Sequence, residues 1–196
     1  MVRNTNRYFK FDWITIILFL LLVSFGWLNI LSASHTGDTL NYLDFSQSYG
    51  KQLMFIFLTF GLIILLLSID AKFYERFSSI IYIISMLSLV GLFIFGKNVN
   101  GATSWYAIGG MTIQPSEFAK TATALAVAKY ISDLNTNINS LKDQIQTFII
   151  IIIPAILVLL QNDTGSTIVY GAFFFVLYRE GLPQHYLFIG ISVILL

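Results

Sequence analysis

The chain has 196 residues, 57% of them hydrophobic and 11% charged, with 18 phenylalanines and a positive mean hydropathy; these values describe a membrane protein rather than a soluble domain. A formal net charge of +1 excludes a broad basic surface, so no nucleic acid is expected as a partner. With no cysteine, disulfide frameworks and thiolate metal sites are excluded together.

The N-terminal MVRNTNRYFKFDW is basic and runs into an apolar stretch, Trp13 to Leu31, with 19 uncharged residues. That is close to the roughly 20 residues that span a bilayer and longer than the core of a signal peptide, so it reads as a retained first span. Further charge-free stretches run from Leu53 to Ile69, Phe77 to Gly96, Gln144 to Asn162 and Thr164 to Tyr178. Between them, Pro115 to Tyr130 is apolar enough to span yet carries Glu117, Lys120 and Lys129. A seventh segment opens at Tyr186 and has 11 residues to Leu196, about half a spanning helix, so the sequence reads as incomplete at its C-terminus. Continuous apolarity over these lengths predicts helices rather than the alternating strands of about 10 residues found in a barrel. The expected fold is all-α: a polytopic transmembrane helix bundle of about six spans plus a truncated seventh. It forms a single integral membrane domain over residues 1–196.

Local signals agree with these boundaries. Asp12 and Asp163 stand where helix caps belong, and Pro115 suits a first helical turn. Pro154 predicts a kink, tolerated where a neighbouring helix satisfies the freed carbonyl. Cation placement orients the chain. With the N-terminus cytoplasmic, Arg3, Arg7, Lys10, Lys72, Arg76, Lys129, Lys142 and Arg179 fall inside, against Lys51 and Lys97 outside. Residues 32–52, 97–114 and 161–163 then lie on the outer face, and His35 and His185 on opposite sides.

In that topology the helices opening at Pro115 and Thr164 present their N-terminal ends at the same face. Such ends carry unpaired N–H groups and positive potential, which favour anions and phosphates. Lys120 begins about 7.5 Å into its helix, from which its side chain can snorkel back to the surface. Glu117, three residues before it, can pair with it. Two readings of that pair stand: dipole complementation with local charge balance, or a functional charge facing a cavity. Asp163 likewise is a helix cap or a carboxylate facing the same cavity, where it would hold a cation or position a substrate hydroxyl. Trp105 and Tyr106 are interfacial-belt aromatics or the lining of a lipid or sugar groove. Gly101, Gly109 and Gly110 give turns and do not form a phosphate loop.

GATSWYAIGGMTIQPSEFAK, residues 101–120, resembles the G-x-x-x-W and Q-P-S-E-x-x-K region of the shape, elongation, division and sporulation (SEDS) family, the RodA and FtsW proteins. Gln114, Pro115, Ser116, Glu117 and Lys120 match its second motif position by position. QNDTGST, from Gln161 to Thr167, resembles the family's Q-P-D-x-G-[ST] segment. The wording GATSWY and QNDTGS leans to the RodA, cell-elongation branch.

The resemblance implies a protein of about ten membrane helices in complete form, of which this chain resembles the first half or somewhat more. It implies polymerisation of lipid II into glycan strands at the outer face of the bacterial cytoplasmic membrane, alongside a class B penicillin-binding protein and among membrane lipids. It places Trp105, Gln114, Glu117, Lys120 and Asp163 at the substrate. A divalent cation such as Mg²⁺ or Mn²⁺ is expected, with Asp163 as its ligand. The family's proposed catalytic aspartate lies in a later outer loop, so no residue here takes that role and the chain alone is expected to be inactive. Ser104 stands where relatives carry arginine, and Asn162 where they carry proline. Two other classes fit the same residues: a flippase for a lipid-linked oligosaccharide, with the charges reachable from both sides, and a non-enzymatic scaffold for the penicillin-binding protein.

Overall fold

A computed structural model describes residues 12–34, 42–99, 101–108, 111–133, 137–183 and 186. The chain divides into two compact units, residues 1–69 and 70–196. The first contains α1 (Trp13–Ser34) and α2 (Ser48–Ser68). Asp12 caps α1 as expected, its carboxylate accepting from the Thr15 amide at 3.2 Å and the Thr15 hydroxyl at 2.7 Å. No residue of α1 is buried, as suits a helix whose surroundings are hydrocarbon rather than water. Trp27 on α1 donates from Nε1 to the Tyr49 carbonyl at 3.0 Å, which ties the two helices at one end. There the chain before α2 folds tightly onto it. Ser46 donates to Asp44 Oδ1 from both amide and hydroxyl, and a Cβ on Gly50 would collide with the Asp44 carbonyl.

The second unit holds α3 (Ala71–Phe95), a three-stranded antiparallel meander of β1 (Lys97–Val99), β2 (Ala102–Ile108) and β3 (Met111–Ile113), then α4 (Pro115–Ser132), α5 (Leu141–Leu160), α6 (Thr164–Val169) and α7 (Ala172–Arg179). α1, α2, α3 and α5 are each long and apolar enough to cross a membrane. The architecture is the polytopic helical type that composition predicts. The helices outrun the charge-free stretches: α2 takes in Lys51, and α3 takes in Lys72, Glu75 and Arg76. Apolarity marks the part in hydrocarbon, while the backbone keeps its helical bonds into the interface, where long charged side chains reach water. Asp70 caps α3 by accepting from the Lys72 amide at 3.2 Å.

The stretch Thr164–Tyr178, expected as one span, is two short helices. Between them the backbone tightens to i→i−3 bonds, from Tyr170 N to Thr167 O, Gly171 N to Ile168 O and Phe173 N to Tyr170 O. The continuation beyond Tyr186, the basic N-terminal residues and both histidines lie outside the described residues.

Pro154 sits inside α5, where its ring nitrogen cannot donate to Ile150. The Tyr82 hydroxyl, from α3, donates to that carbonyl at 3.0 Å. Small side chains let the helices approach closely: Ser116, Ala119, Ala122 and Thr123 on α4 are all fully buried. The core runs through Leu89, Leu92, Ala119, Val127, Ile151, Val158 and Leu177.

The meander caps one end of this unit. Gly101, at φ +88°, makes the first turn, a conformation that costs glycine little; its amide donates to Asn98 Oδ1 at 3.1 Å. The second turn, at 109–110, lies outside the described residues.

Candidate functional site

The two motif segments meet beside the meander. Gln114 precedes the first turn of α4 and makes no side-chain cap bond of its own. Its amide instead donates from Nε2 to Asp163 Oδ2 at 2.7 Å. The other oxygen of Asp163 accepts from the Ser166 amide at 3.0 Å and so caps α6. The Asp163 carbonyl takes the Thr167 hydroxyl at 2.8 Å. One turn further in, the hydroxyls of Ser116 and Ser166 stand 3.5 Å apart across the buried α4–α6 interface. The expected cap is therefore present on one carboxylate oxygen of Asp163, while the other joins two segments 49 residues apart.

Glu117 and Lys120 pair as spaced, Nζ to Oε1 at 2.7 Å, with the lysine side chain 19% exposed and the glutamate 58%. The ammonium is the sheltered member, and the carboxylate stands outside it. A sheltered cation within the first two turns of a helix adds to the field of that helix end instead of being screened by water.

Trp105 lies on β2 opposite Lys97 of β1, half-buried, and makes no hydrogen bond to Gln114, Glu117, Lys120 or Asp163. Ser104, at the position where arginine was expected, is 1% exposed. It faces inward and cannot meet a phosphate at the surface. Asn162, in place of proline, adopts φ +60°, a conformation closed to proline.

Gln161, which opens the second motif, has a structural part that its motif does not reveal. It is 1% exposed, donates from Nε2 to the Leu89 carbonyl at 2.9 Å and accepts the Thr103 amide at its own carbonyl, 3.0 Å. It thereby pins α5 to α3 and to β2. A glutamine ending an apolar run was the available signal, since such an amide must find partners.

Among the described residues there is no cluster of three or more His, Asp or Glu side chains that would cage a metal ion. Asp163 is a single carboxylate with both oxygens already engaged. That donor set fits a hard divalent cation only in company with substrate phosphate oxygens and water.

A helical multi-pass membrane chain with a charged, hydrogen-bonded cluster at the end of two motif helices defines a class, and sequence comparison gives the family. The sequence model of the FtsW/RodA/SpoVE family, described as cell cycle protein, matches residues 12–196, and the chain belongs to that family. The peptidoglycan glycosyltransferase RodA of Treponema pallidum is 33% identical over 95% of this chain and 42% of its own length. A probable peptidoglycan glycosyltransferase FtsW of Wigglesworthia glossinidia brevipalpis is 30% identical over 86% of this chain and 45% of its own. The chain thus spans less than half the length of these relatives. The crystal structure of the rod shape determining protein RodA of Thermus thermophilus superposes with a TM-score of 0.80 at 26% identity, covering 95% of this chain and 59% of that one. A chain from a peptidoglycan synthase complex that coordinates polymerization and crosslinking gives 0.79 at 26% identity, over 96% and 53%.

Proposed function

We propose that this chain supplies the leaving-group side of a peptidoglycan glycosyltransferase, a lipid II polymerase of cell elongation, within a protein of the length of its relatives. In that reaction a sugar hydroxyl of one lipid-linked substrate attacks the anomeric carbon of the other. The bond to undecaprenyl diphosphate breaks, and the hydroxyl proton passes to a base that no residue here is assigned to provide. Negative charge grows on the departing diphosphate. Lys120 and the N-terminal amides of α4 are the groups that would meet it. Glu117 holds the lysine in place. Gln114 and Asp163 fix the distance between α4 and α6, and Trp105 borders the substrate groove. A bound Mg²⁺ or Mn²⁺ would add charge neutralisation at the diphosphate, with Asp163 as its protein ligand.

The observation that carries this reading is the Gln114–Asp163 hydrogen bond, which joins the two motifs next to the Lys120–Glu117 pair. The depth of the pair speaks against a carrier. The pair's position in the first two turns of α4, beside the sheet, supports a shallow site over the midplane position used by transporters. The proposal includes an N-terminus in the cytoplasm, the cytoplasmic membrane as location and a class B penicillin-binding protein as partner.

The test is lipid II polymerisation by the full-length protein with its partner, unsubstituted and as Lys120→Ala. A rate lower by about 10²–10³ in the variant is expected, the size typical of losing one preorganised donor to developing negative charge. A full rate in the variant removes the leaving-group role. No polymer from the folded, unsubstituted complex removes the polymerase reading.

A further inference from the structure

Two oxygens without partners lie behind the candidate site. Alternation along β2 puts Ser104 on the same face as Tyr106, and that face meets α3. The Tyr106 hydroxyl donates to the Ser88 carbonyl at 2.8 Å, so close to the helix that a Cβ on Gly91 would lie 2.5 Å from the hydroxyl. Gln161 reaches the neighbouring carbonyl of α3, Leu89. The two segments are also joined directly, the Thr103 amide donating to the Gln161 carbonyl at 3.0 Å. The Ser104 hydroxyl and the Gln161 carboxamide therefore belong to two segments tied by the Thr103–Gln161 bond, the first on the strand face that meets α3 and the second bonded to α3. Each residue is 1% exposed, and neither Ser104 Oγ nor Gln161 Oε1 has a hydrogen-bond partner.

A buried carboxamide oxygen and a buried hydroxyl left unpaired forfeit their hydration with nothing in return. At 1% exposure the chain's own atoms already shut out bulk solvent and any further polypeptide, so whatever satisfies these oxygens is small enough to be enclosed with them. It must donate to the carboxamide and either donate to or accept from the hydroxyl. The polar groups are neutral and Leu89, whose carbonyl Gln161 meets, is fully buried, surroundings that make an ion costly. Water meets every condition.

We propose that Ser104 and Gln161 enclose an ordered water molecule that donates to Gln161 Oε1 and shares a second hydrogen bond with Ser104 Oγ. The water is a further link between the strand that bears Trp105 and the turn that bears Asp163, beside the Thr103–Gln161 bond. It positions the two halves of the candidate site relative to each other, and it does so whatever reaction the site performs.

Ser104→Ala in the full chain, purified in detergent, gives the first measurement. Loss of a water ligand lowers the midpoint of thermal unfolding by about 2–4 °C, whereas loss of a hydroxyl that bonds nothing leaves it unchanged or raises it, which would overturn the proposal. An experimental structure of the unsubstituted protein at a resolution that shows waters gives the second. Density within about 3 Å of both oxygens supports the site. A hydroxyl bonded straight to Gln161 Oε1, or a gap without density, overturns it.

Discussion

Gln114 and Asp163 show how much one side-chain pair carries. The amide of Gln114 is spent on the Asp163 carboxylate, so its first task is to position, and any contact with substrate is made by what remains. A hydrogen bond to a charged group contributes about 1.5–3 kcal/mol, and removing one partner leaves the other wanting. Gln114→Ala and Asp163→Asn are each expected to lower stability by about that amount, and the double variant by clearly less than the sum. Thermal unfolding of the four proteins measures it; additive effects would mean that the two side chains do not meet.

Asn162 next to them makes a sharper case. At φ +60° asparagine is tolerated and glycine at ease, but proline is locked near −65°. Asn162→Gly should leave the unfolding midpoint nearly unchanged, while Asn162→Pro should lower it by the equivalent of about 2–4 kcal/mol, with the Asp163 cap disturbed. An equally stable proline variant would show that the turn adopts the geometry of proline-containing relatives instead.

Among the elements, α5 is the one whose integrity depends on another. Its proline leaves the Ile150 carbonyl without a helical donor, and Tyr82 of α3 fills the vacancy. Tyr82→Phe is expected to cost about 1–2 kcal/mol. In a Pro154→Ala background, where the helix supplies its own N–H, the same change should cost almost nothing. A double-mutant cycle on unfolding reads this difference, and equal costs in both backgrounds would refute the coupling.

The elements also show what the sequence made legible. Helices α1, α2, α3 and α5 stand where continuous apolarity placed them, because hydrocarbon requires internally bonded backbone over about 20 residues and little else satisfies that. The expected caps at Asp12 and Asp163, Pro115 in a first turn and the Glu117–Lys120 pair were readable because each depends on spacing within one helix. The meander was not. Ala102–Ile108 is a short strand whose pairing depends on partners across two turns, and glycines and aromatics announce turns and interfaces as readily as strands. The break at Tyr170–Gly171 also escaped, since it alters the hydrogen-bond pattern without altering the apolar run. The Gln114–Asp163 and Gln161–Leu89 bonds span 49 and 72 positions, distances over which no periodicity speaks.

At the scale of the whole molecule, the composition offers a clean way to measure which end of each helix faces the cytoplasm. These 196 residues hold no cysteine, so a thiol introduced among them is the only one they present. Lys97→Cys, in β1, and Asn139→Cys, in the connection between α4 and α5, are both at exposed positions. With the N-terminus cytoplasmic, a membrane-impermeant maleimide added to intact cells should label position 97 and label 139 only after the membrane is opened. The reverse pattern would invert the topology and move the proposed site away from the outer face.

The tyrosine bond into α5 has a further consequence, in how the protein is made. Tyr82 and Ile150 are 68 residues apart, so α3 has left the ribosome well before the proline-bearing helix emerges. A newly delivered α5 reaches the lipid with one bare carbonyl, and the hydroxyl that quiets it is already waiting on a helix inserted earlier. Synthesis from the N-terminus therefore delivers donor before acceptor. A hybrid or rearranged gene that delivered α5 ahead of α3 would hold that carbonyl in hydrocarbon for the interval, giving the cell's membrane quality control a substrate that the natural order never presents.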